Sequence, residues 1–505
     1  MNKKATLIVD RDFQIAPVDE RMYGSFIEHL GRAVYTGIYQ PGHETADEEG
    51  FRQDVIDLVK ELNVPIVRYP GGNFVSNFYW ENSVGPKEER KPRLDLAWRT
   101  LEPNEVGIQE FARWAKKAGT KPMMAVNLGT RGVEAALNLL EYCNLDTDSC
   151  YANLRRSHGD EKPYDIKLWC MGNEMDGPWQ TGHKTAREYG KLAAETAKAM
   201  KMMDDSIECV VCGSSHKGMP TFGTWEEEVL DEAYDYVDYV SLHTYWSNAS
   251  GDTPDFFAQN LDLDEFIRTV VNICDLVKAK KHSKKQIDLS FDEWNVWYHS
   301  NASDNADMKN LPWRRHPHLL EDIYTFEDAI VDGLALITFL KHADRVKIAA
   351  LAQLVNVIAP IMTEEAGKAW RQTIFYPFLH ASKFGRGISL TPILRSTTHA
   401  TSHQENVSDV DAAAVWNEEK QQLTVFAVNR CLEEKADLTI DMRGFEDYQL
   451  SLWEALESDD LLAVNSAEEE KVHPIRKERS GKELTEQTPF VLAPASWNVL
   501  VFTKP

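Results

Sequence analysis

Between about residues 20 and 385 the sequence alternates short apolar runs with longer amphipathic stretches, and this feature constrains the fold most. Each run begins with β-branched or long apolar residues and ends in Gly, Asn, Glu, His or an aromatic residue. Between the runs, segments such as 51–63, 107–119 and 265–280 carry an apolar stripe at helical spacing. The alternation predicts eight strand–helix units. The predicted strands lie in runs 22–30, 65–74, 121–129, 165–174, 208–215, 239–246, 287–297 and 348–360.

Eight parallel strand–helix units fit a closed (β/α)8 barrel, a fold that needs on the order of 250 residues. An open doubly wound sheet would alternate in the same way. Such a sheet usually has a glycine-rich phosphate loop after its first strand, and the sequence contains neither a GxGxxG nor a Walker motif. We therefore expect an α/β fold in which residues 17–385 form a (β/α)8 TIM barrel.

After about residue 386 the pattern changes to short strands that tend towards alternation and are separated by polar turns. This pattern predicts a C-terminal antiparallel β-sandwich of the jelly-roll kind. The opening segment 5–10 precedes the barrel, so we group residues 1–16 with 386–505 in the second domain. The charge-dense segment 466–489 is expected to be a solvated loop. The sandwich strands are predicted in segments 423–430, 436–442, 448–455 and 495–505.

Composition excludes several classes of partner and location. The chain has 55 basic and 80 acidic residues and a formal charge of −25, which repels phosphate backbones, so we expect neither nucleic acid nor an anionic membrane as a partner. The first apolar run is only about four residues long, against the roughly 7–15 of an export signal, and no segment approaches the roughly 18 apolar residues of a membrane span. The seven cysteines are odd in number and scattered, so we expect a cytoplasmic protein.

Two glutamates lie at the ends of the fourth and seventh predicted strands, Glu174 in GNE (172–174) and Glu293 in DEW (292–294). In a parallel barrel the C-terminal strand ends share one mouth, where the catalytic groups of this fold lie. Two carboxyls across such a mouth can cleave a glycosidic bond, because one protonates the leaving oxygen while the other attacks the anomeric carbon. A single strand-end glutamate is more often an ordinary surface residue, whereas the pair favours catalysis.

Other strand ends offer groups suited to a sugar, whose hydroxyls need hydrogen bonds and whose apolar ring face stacks on aromatic rings. Each tryptophan taken alone is more often part of a core than a stacking platform. The polar candidates are Glu28, His29, Arg68, Asn73, His243, Tyr245, Gln353 and Asn356. The aromatic candidates are Trp98, Trp179, Trp246 and Trp297.

A metal site and a serine nucleophile are the alternatives to this chemistry. His29, His243 and the glutamates could in principle bind a divalent ion, as in some barrel hydrolases. The sequence has no HxH or HExxH spacing, and no GxSxG elbow. We therefore expect no catalytic metal and no other cofactor.

Six long motifs resemble glycoside hydrolase family 51, the α-L-arabinofuranosidases of the intracellular bacterial type. The resemblance spans the predicted barrel and sandwich, essentially the whole chain, with the motifs in order. The motifs are FIEHLGRAVYTGIY (26–39), VRYPGGNFVSNFYWENSVGP (67–86), WRTLEPNEVGIQEF (98–111), WCMGNEMDGPWQ (169–180), DEWNVWY (292–298) and LAQLVNVIAPI (351–361).

This resemblance implies an exo-acting, retaining enzyme that removes non-reducing terminal α-L-arabinofuranosyl groups from arabinan and arabinoxylan fragments through a covalent glycosyl-enzyme intermediate. It implies Glu174 as the acid/base and Glu293 as the nucleophile, and a homo-oligomer, commonly a hexamer. The substrate-binding residues that follow from it are Glu28, Arg68, Asn73, Asn173, Tyr245 and Gln353, with His243 close to the acid/base. Trp98 and Trp297 are the expected stacking residues.

Retention requires the two carboxyls to lie roughly 5–5.5 Å apart. Fold alone does not exclude another glycosidase on the same scaffold, such as a β-xylosidase or an endo-β-glucanase. The alternative outside the enzymes is a sugar-binding protein without catalytic activity. The linkage preference and the choice between polymer and oligomer stay open, as does the role of segment 300–321, which we expect to be a loop beside the pocket.

Overall fold

The computed structural model describes residues 2–310, 312–479 and 488–505. Its strands are, in chain order, β1 (Lys3–Asp10), β2 (Gln14–Pro17), β3 (Gly24–Phe26), β4 (Ile66–Tyr69), β5 (Arg93–Asp95), β6 (Thr100–Glu102), β7 (Lys121–Ala125), β8 (Leu168–Met171), β9 (Glu208–Cys212), β10 (Tyr239–Trp246), β11 (Asp288–Val296), β12 (Val346–Leu351), β13 (Ile361–Thr363), β14 (Ala369–Arg371), β15 (Ile388–Leu390), β16 (Ile393–Ser396), β17 (Thr398–His399), β18 (Val407–Ser408), β19 (Val410–Asn417), β20 (Gln422–Asn429), β21 (Ala436–Arg443), β22 (Gln449–Leu456), β23 (Ile475–Arg476), β24 (Phe490–Leu492) and β25 (Ser496–Thr503).

The α-helices are α1 (Gln53–Leu62), α2 (Ile108–Ala118), α3 (Val133–Asn144), α4 (Cys150–Ser157), α5 (Ala186–Met203), α6 (Thr224–Ala233), α7 (Thr253–Phe256), α8 (Asn260–Lys280), α9 (Asn301–Asn310), α10 (Phe326–Lys341) and α11 (Phe375–Phe384). Short 3-10 helices lie at Glu20–Tyr23, Asn73–Asn77, Trp80–Ser83 and Lys87–Glu89. No helix among the described residues is both long and apolar enough to cross a bilayer.

Eight parallel strands close into a barrel in the order β3, β4, β7, β8, β9, β10, β11 and β12. Seven of the predicted apolar runs contain one of these strands and the eighth, 348–360, overlaps β12, which confirms the (β/α)8 barrel. Strands such as β4 and β8 are buried along their whole length, because side chains fill the barrel interior while helices cover the outside. That double burial explains why the runs are apolar throughout rather than alternating.

Two further sheets form the C-terminal sandwich, which confirms the second part of the predicted fold. Their orders are β16-β1-β21-β24 and β2-β15-β19-β20-β25-β22-β23. Strand β1 pairs in parallel with β21, so one sheet is mixed rather than purely antiparallel. Both N-terminal strands, β1 and β2, therefore contribute to the sandwich sheets.

Helix α10 joins the barrel to the sandwich. All its residues except Lys341 are buried, because one side faces the barrel strands and the other faces β19, β20 and β25. Sandwich residues such as Phe426 and Trp497 lie in the same apolar cluster as the barrel core. The two parts consequently share one continuous interior.

Two segments differ from the loop interpretation. Residues 301–310 of segment 300–321 form helix α9, in which only Asp304 is buried. Within 466–489, residues 480–487 lie outside the described residues, and Ile475–Arg476 form β23 at a sheet edge. Val472 is buried in the apolar core, and Asn465 exchanges two hydrogen bonds of 2.8 Å with its backbone, so the prediction of a wholly solvated loop is wrong there.

Candidate active site

Glu174 reaches the barrel mouth through an unusual turn after β8. Gly172 and Glu174 both have positive φ, 90° and 42°, and the left-handed conformation is uncommon for a residue with a side chain. Such strain is typical of functional positions, where the surrounding structure imposes it. The turn directs the carboxyl inward, where Oε2 accepts a 2.6 Å hydrogen bond from Trp179 Nε1.

Glu293 lies within β11, next to irregularities in the pairing on both sides. The register shifts between Ser241 and His243 on β10 and between Phe291 and Trp294 along β11. Bulges of this kind re-aim side chains beside active sites. Here the Glu293 carboxyl points into the mouth.

Two donors fix the carboxyl of Glu293. Arg68 Nη1 donates to Oε1 at 2.7 Å and Tyr245 Oη donates to Oε2 at 2.7 Å. The second terminal nitrogen of Arg68 donates to Asn173 Oδ1 at 2.7 Å, and Asn173 Nδ2 donates to Asn73 Oδ1 at 3.3 Å. The predicted residues of β4, β8 and β10 are thus linked in one hydrogen-bond network around Glu293.

His243 connects the two glutamates. Its Nδ1 lies 2.9 Å from Glu174 Oε1 and 3.5 Å from Glu293 Oε2, and its Nε2 lies 3.0 Å from Asp292 Oδ1. One ligand atom from each of Glu174, His243 and Glu293 lies within 4.8 Å of the other two. The carboxyls are therefore close enough for direct attack on a sugar held between them, the geometry of retaining glycosidases.

The charges of this cluster shift one another's pKa values. Burial disfavours protonation of His243, but Glu293, Asp292 and Glu174 outweigh it and raise the pKa of His243 to about 10. Burial raises the pKa of Glu293, while His243 and Arg68 oppose that rise. The pKa of Asp292 is lowered despite burial, because Arg68 and His243 stabilise its charge. At neutral pH the imidazole of His243 is consequently a cation.

Glu28 lines the same pocket as Glu174 and Glu293. Its Oε1 accepts hydrogen bonds from Phe74 N at 2.9 Å and Trp98 Nε1 at 3.1 Å, and Gln353 Nε2 donates to Oε2 at 3.3 Å. Burial raises the pKa of Glu28 to about 8. Gln353 Oε1 in turn accepts from Glu28 N at 3.0 Å.

A pocket of about 530 Å³ contains both glutamates. It is lined by Phe26, Glu28, Leu30, Gly72, Asn73, Trp98, Glu174, Trp179, Ser215, His216, Thr244, Tyr245, Glu293, Trp297, Leu320, Gln353 and Ile358. A hollow of about 730 Å³ on the sandwich, lined by residues such as Leu432 and Lys477, does not include either glutamate.

Six of the candidates are not among the residues that line this pocket: Arg68, Asn173 and His243 belong to the hydrogen-bond network of the two glutamates, and three others make their contacts elsewhere. His29 is buried between Glu102 and Tyr69, at 3.0 and 2.7 Å. Trp246 packs edge-on against Trp294 in the core. The third, at position 356, donates from its side-chain amide to backbone and hydroxyl oxygens of neighbouring loops. These side chains support the mouth from behind instead of lining it.

Sequence reasoning missed several residues of the site. Asp292 and Ser241 lie beneath His243, and Ser241 Oγ donates to Asp292 Oδ1 at 2.5 Å. Ser241 is two residues before His243 on one strand, so the two-residue period of β10 could have indicated it. His216 and Leu320 come from loops, and no sequence signal marked them.

Segment 300–321 contributes to one wall. Leu320 lines the pocket, and the backbone N–H of Leu101 donates to Arg314 O at 2.8 Å. This contact attaches the segment to the β5–β6 hairpin, whose turn carries Trp98.

The barrel and the paired glutamates at its mouth define a glycoside hydrolase. Residues 58–265 match the family model described as "Alpha-L-arabinofuranosidase 1 domain" and residues 292–496 match "Alpha-L-arabinofuranosidase C-terminal domain". The chain belongs to glycoside hydrolase family 51, the α-L-arabinofuranosidases.

Curated relatives match over the whole length. An "Intracellular exo-alpha-(1->5)-L-arabinofuranosidase" of Acetivibrio thermocellus is 61% identical over 99% of both chains. A protein of Bacillus subtilis with the same description, numbered 1, is 58% identical over 99% of both chains. An "Exo-alpha-(1->6)-L-arabinofuranosidase" of Bifidobacterium longum is 48% identical over 99% of this chain and 97% of its own.

Solved structures give the same result. A family 51 α-L-arabinofuranosidase from Bifidobacterium longum is 46% identical, with a TM-score of 0.96 over 100% of this chain and 99% of its own. The arabinose complex of an α-L-arabinofuranosidase from Thermotoga maritima is 32% identical, with a TM-score of 0.87 over 98% and 99% of the two chains.

Proposed function

We propose that this protein is an exo-acting, retaining α-L-arabinofuranosidase that removes non-reducing terminal α-L-arabinofuranosyl groups from arabinan and arabinoxylan oligosaccharides. The observation that carries the proposal is the convergence of Glu174 and Glu293 on His243 within 4.8 Å, in one pocket. Membership of family 51 supports the sugar specificity, and the carboxyl separation supports the stereochemistry.

In the first step Glu293 attacks the anomeric carbon while Glu174 protonates the glycosidic oxygen. The bond between these two sugar atoms breaks, the alcohol leaves, and the arabinosyl group becomes an ester of Glu293. Arg68 and Tyr245 each hold one oxygen of the nucleophile, so its attack trajectory is fixed before substrate arrives.

In the second step Glu174, now a carboxylate, removes a proton from water as the water attacks the same carbon. The ester bond breaks, Glu293 leaves as a carboxylate, and arabinose departs with the configuration that it had in the substrate. Two inversions at one carbon give net retention.

The remaining predicted residues position the sugar. Glu28, Asn73, Asn173 and Gln353 supply hydrogen-bonding groups around the space between the glutamates. Trp98 and Trp297 line the same pocket and offer apolar ring faces for the furanose. In this proposal Asn173 donates to the sugar 2-hydroxyl, a contact that strengthens in the transition state.

We propose a preference for α-(1→5) linkages and an intracellular location. Support comes from the relatives of Acetivibrio thermocellus and Bacillus subtilis, whose descriptions carry both terms. The hexameric assembly is proposed from family resemblance alone, and sedimentation equilibrium of the purified protein tests it.

A panel of nitrophenyl glycosides tests the sugar specificity. We expect kcat/KM on the α-L-arabinofuranoside to exceed that on the β-D-xyloside and β-D-glucoside by about 100-fold or more, because a site built to bind one set of hydroxyls leaves its polar groups unpaired with another. Comparable rates on the xyloside would favour the β-xylosidase alternative. Sugar binding without turnover of any glycoside would favour a binding protein.

A further inference from the structure

Three side chains at the bottom of the pocket have the separations of metal ligands. His243 Nδ1 lies 2.9 Å from Glu174 Oε1 and 3.5 Å from Glu293 Oε2. Two ligands bound tetrahedrally to Zn²⁺ at 2.0–2.1 Å lie about 3.4 Å apart, as the tetrahedral angle requires. The two observed distances bracket that value, and the ligand oxygens of Glu174 and Glu293 lie within 4.8 Å of each other, so an ion binds once the two carboxylates draw together around it.

The far side of His243 has the partner that metal-binding histidines usually have. Its Nε2 lies 3.0 Å from Asp292 Oδ1, and Asp292 is fully buried. A carboxylate on the second ring nitrogen fixes the ring and raises the basicity of the nitrogen that faces the metal. Asp292 itself is not one of the three candidate ligands.

The two glutamates are also oriented in advance. Trp179 Nε1 holds Glu174 Oε2, and Arg68 Nη1 holds Glu293 Oε1. Glu174 Oε1 therefore faces His243, as does Glu293 Oε2, which also accepts a 2.7 Å hydrogen bond from Tyr245 Oη. The pocket is open on the side away from Asp292, which leaves room for water as a fourth ligand.

We propose that Glu174, His243 and Glu293 form an inhibitory site for Zn²⁺ and similar borderline divalent ions. The ion takes the place of the proton between His243 Nδ1 and Glu174 Oε1, that proton goes to solvent, and the two carboxylates neutralise the ion's charge. The site stands on the geometry, whereas its inhibitory effect rests on the proposed function, since the same carboxylates carry out hydrolysis. Zn²⁺ and substrate then compete for one pocket.

Binding is measured with Co²⁺, which gives intense visible bands when it is bound tetrahedrally. We expect these bands on adding CoCl2 to the metal-free enzyme, and their loss when equimolar ZnCl2 is added. His243→Asn should weaken Zn²⁺ binding by at least about 100-fold and Asp292→Asn by about 10–100-fold, measured by calorimetry. The matched control is His216→Asn, a histidine that lines the same pocket outside the triad and should leave the bands intact.

Absence of the bands in the wild type, or their persistence in His243→Asn, would overturn the proposal. Glu293→Gln is the second ligand variant, and unchanged thermal unfolding of both variants separates ligand loss from misfolding. For inhibition we expect ZnCl2 to raise KM without changing kcat, with full recovery on adding EDTA. A metal-free enzyme that binds Co²⁺ but hydrolyses no arabinofuranoside refutes the proposed function and leaves the site standing, whereas an active enzyme without the bands refutes the site alone.

Discussion

His243 has a carboxyl group at each of its two ring nitrogens, and this arrangement raises its pKa. Asp292 meets one ring nitrogen and Glu174 the other, so a protonated imidazole links a buried acid to the proposed acid/base. Sequence reasoning placed His243 near Glu174 by family resemblance but omitted Asp292. The omission has a physical reason, because neighbouring residues of a regular strand point to opposite faces. The irregularity between Phe291 and Trp294 instead lets Asp292 and Glu293 both contact His243.

Asp292→Asn should shift the pH dependence of activity. Asp292 is ionised, and its charge helps to hold the pKa of His243 near 10. Without that charge the pKa of His243 falls, so the proton between His243 Nδ1 and Glu174 Oε1 is lost at lower pH. The alkaline limb of the pH profile of kcat/KM then moves to lower pH. The measurement is the pH profile on an unactivated arabino-oligosaccharide.

Ser241→Ala is the control for this change. It removes the 2.5 Å hydrogen bond to Asp292 but keeps the charge, so its alkaline limb should move less. Equal shifts in Asp292→Asn and Ser241→Ala would contradict an electrostatic role for Asp292.

Glu174→Ala and Glu293→Ala should respond differently to the leaving group. Loss of a general acid costs about 10²–10⁴-fold on an unactivated disaccharide but little on an aryl arabinoside whose leaving group needs no protonation. Glu293→Ala should lose activity on both substrates, because no other group forms the ester. Near wild-type rates for Glu174→Ala on the disaccharide would show that the acid is a different residue.

Among the helices and strands, those with buried faces could be predicted from the sequence and those with exposed faces could not. The eight barrel strands were predicted because both of their faces are buried, which gives continuous apolar runs. Helix α9 was missed because only Asp304 is buried, so no apolar stripe marks it. Hairpin β5–β6 was missed for the same reason, since Arg93 and Leu94 are exposed. Trp98, in the turn of this hairpin, was predicted as a pocket residue, whereas Leu320, which follows α9 in the chain, was not.

A buried charge cluster joins the sandwich to the barrel helices. Asp411 of β19 accepts from Arg430 Nη2 at 2.8 Å and from Asn260 of α8 at 3.2 Å, and it also pairs with Lys341 of α10. Despite burial, Lys341 and Arg430 lower the pKa of Asp411. The pKa of Asp411 is lower in the folded protein than in the unfolded chain. The ionised carboxylate therefore stabilises the fold at pH values above its pKa in the unfolded chain, and this stabilisation is lost as pH falls through its pKa in the folded protein.

Asp411→Asn should destabilise the protein by about 3–5 kcal/mol, because it leaves the buried Arg430 and the partly exposed Lys341 without their carboxylate. The exposed pair of Lys4 and Asp437 gives the matched control, and Asp437→Asn should cost less than about 1 kcal/mol. Urea unfolding measures both free energies. Equal, small losses in the two variants would contradict a role for the cluster in holding the sandwich.

For the whole molecule, the fold class and the family could be predicted from the sequence. The way in which the barrel and the sandwich pack together was harder to predict. The division between 17–385 and the remaining residues stays a prediction, since α10 and Trp497 belong to one apolar cluster that crosses it. Long-range pairings such as β1 with β21 depend on contacts more than 400 residues apart in sequence, which local patterns do not encode. The hexamer also stays a prediction.

The central claim is that two carboxyls within one pocket act on the same anomeric carbon in succession. Proton NMR during the first turnovers of an α-(1→5)-linked arabino-oligosaccharide tests this claim directly, because it resolves the anomers of free arabinofuranose before they equilibrate. Double displacement at Glu293 predicts that the α anomer appears first and the β anomer only with mutarotation. Initial release of the β anomer would mean a single displacement by water and would contradict the account.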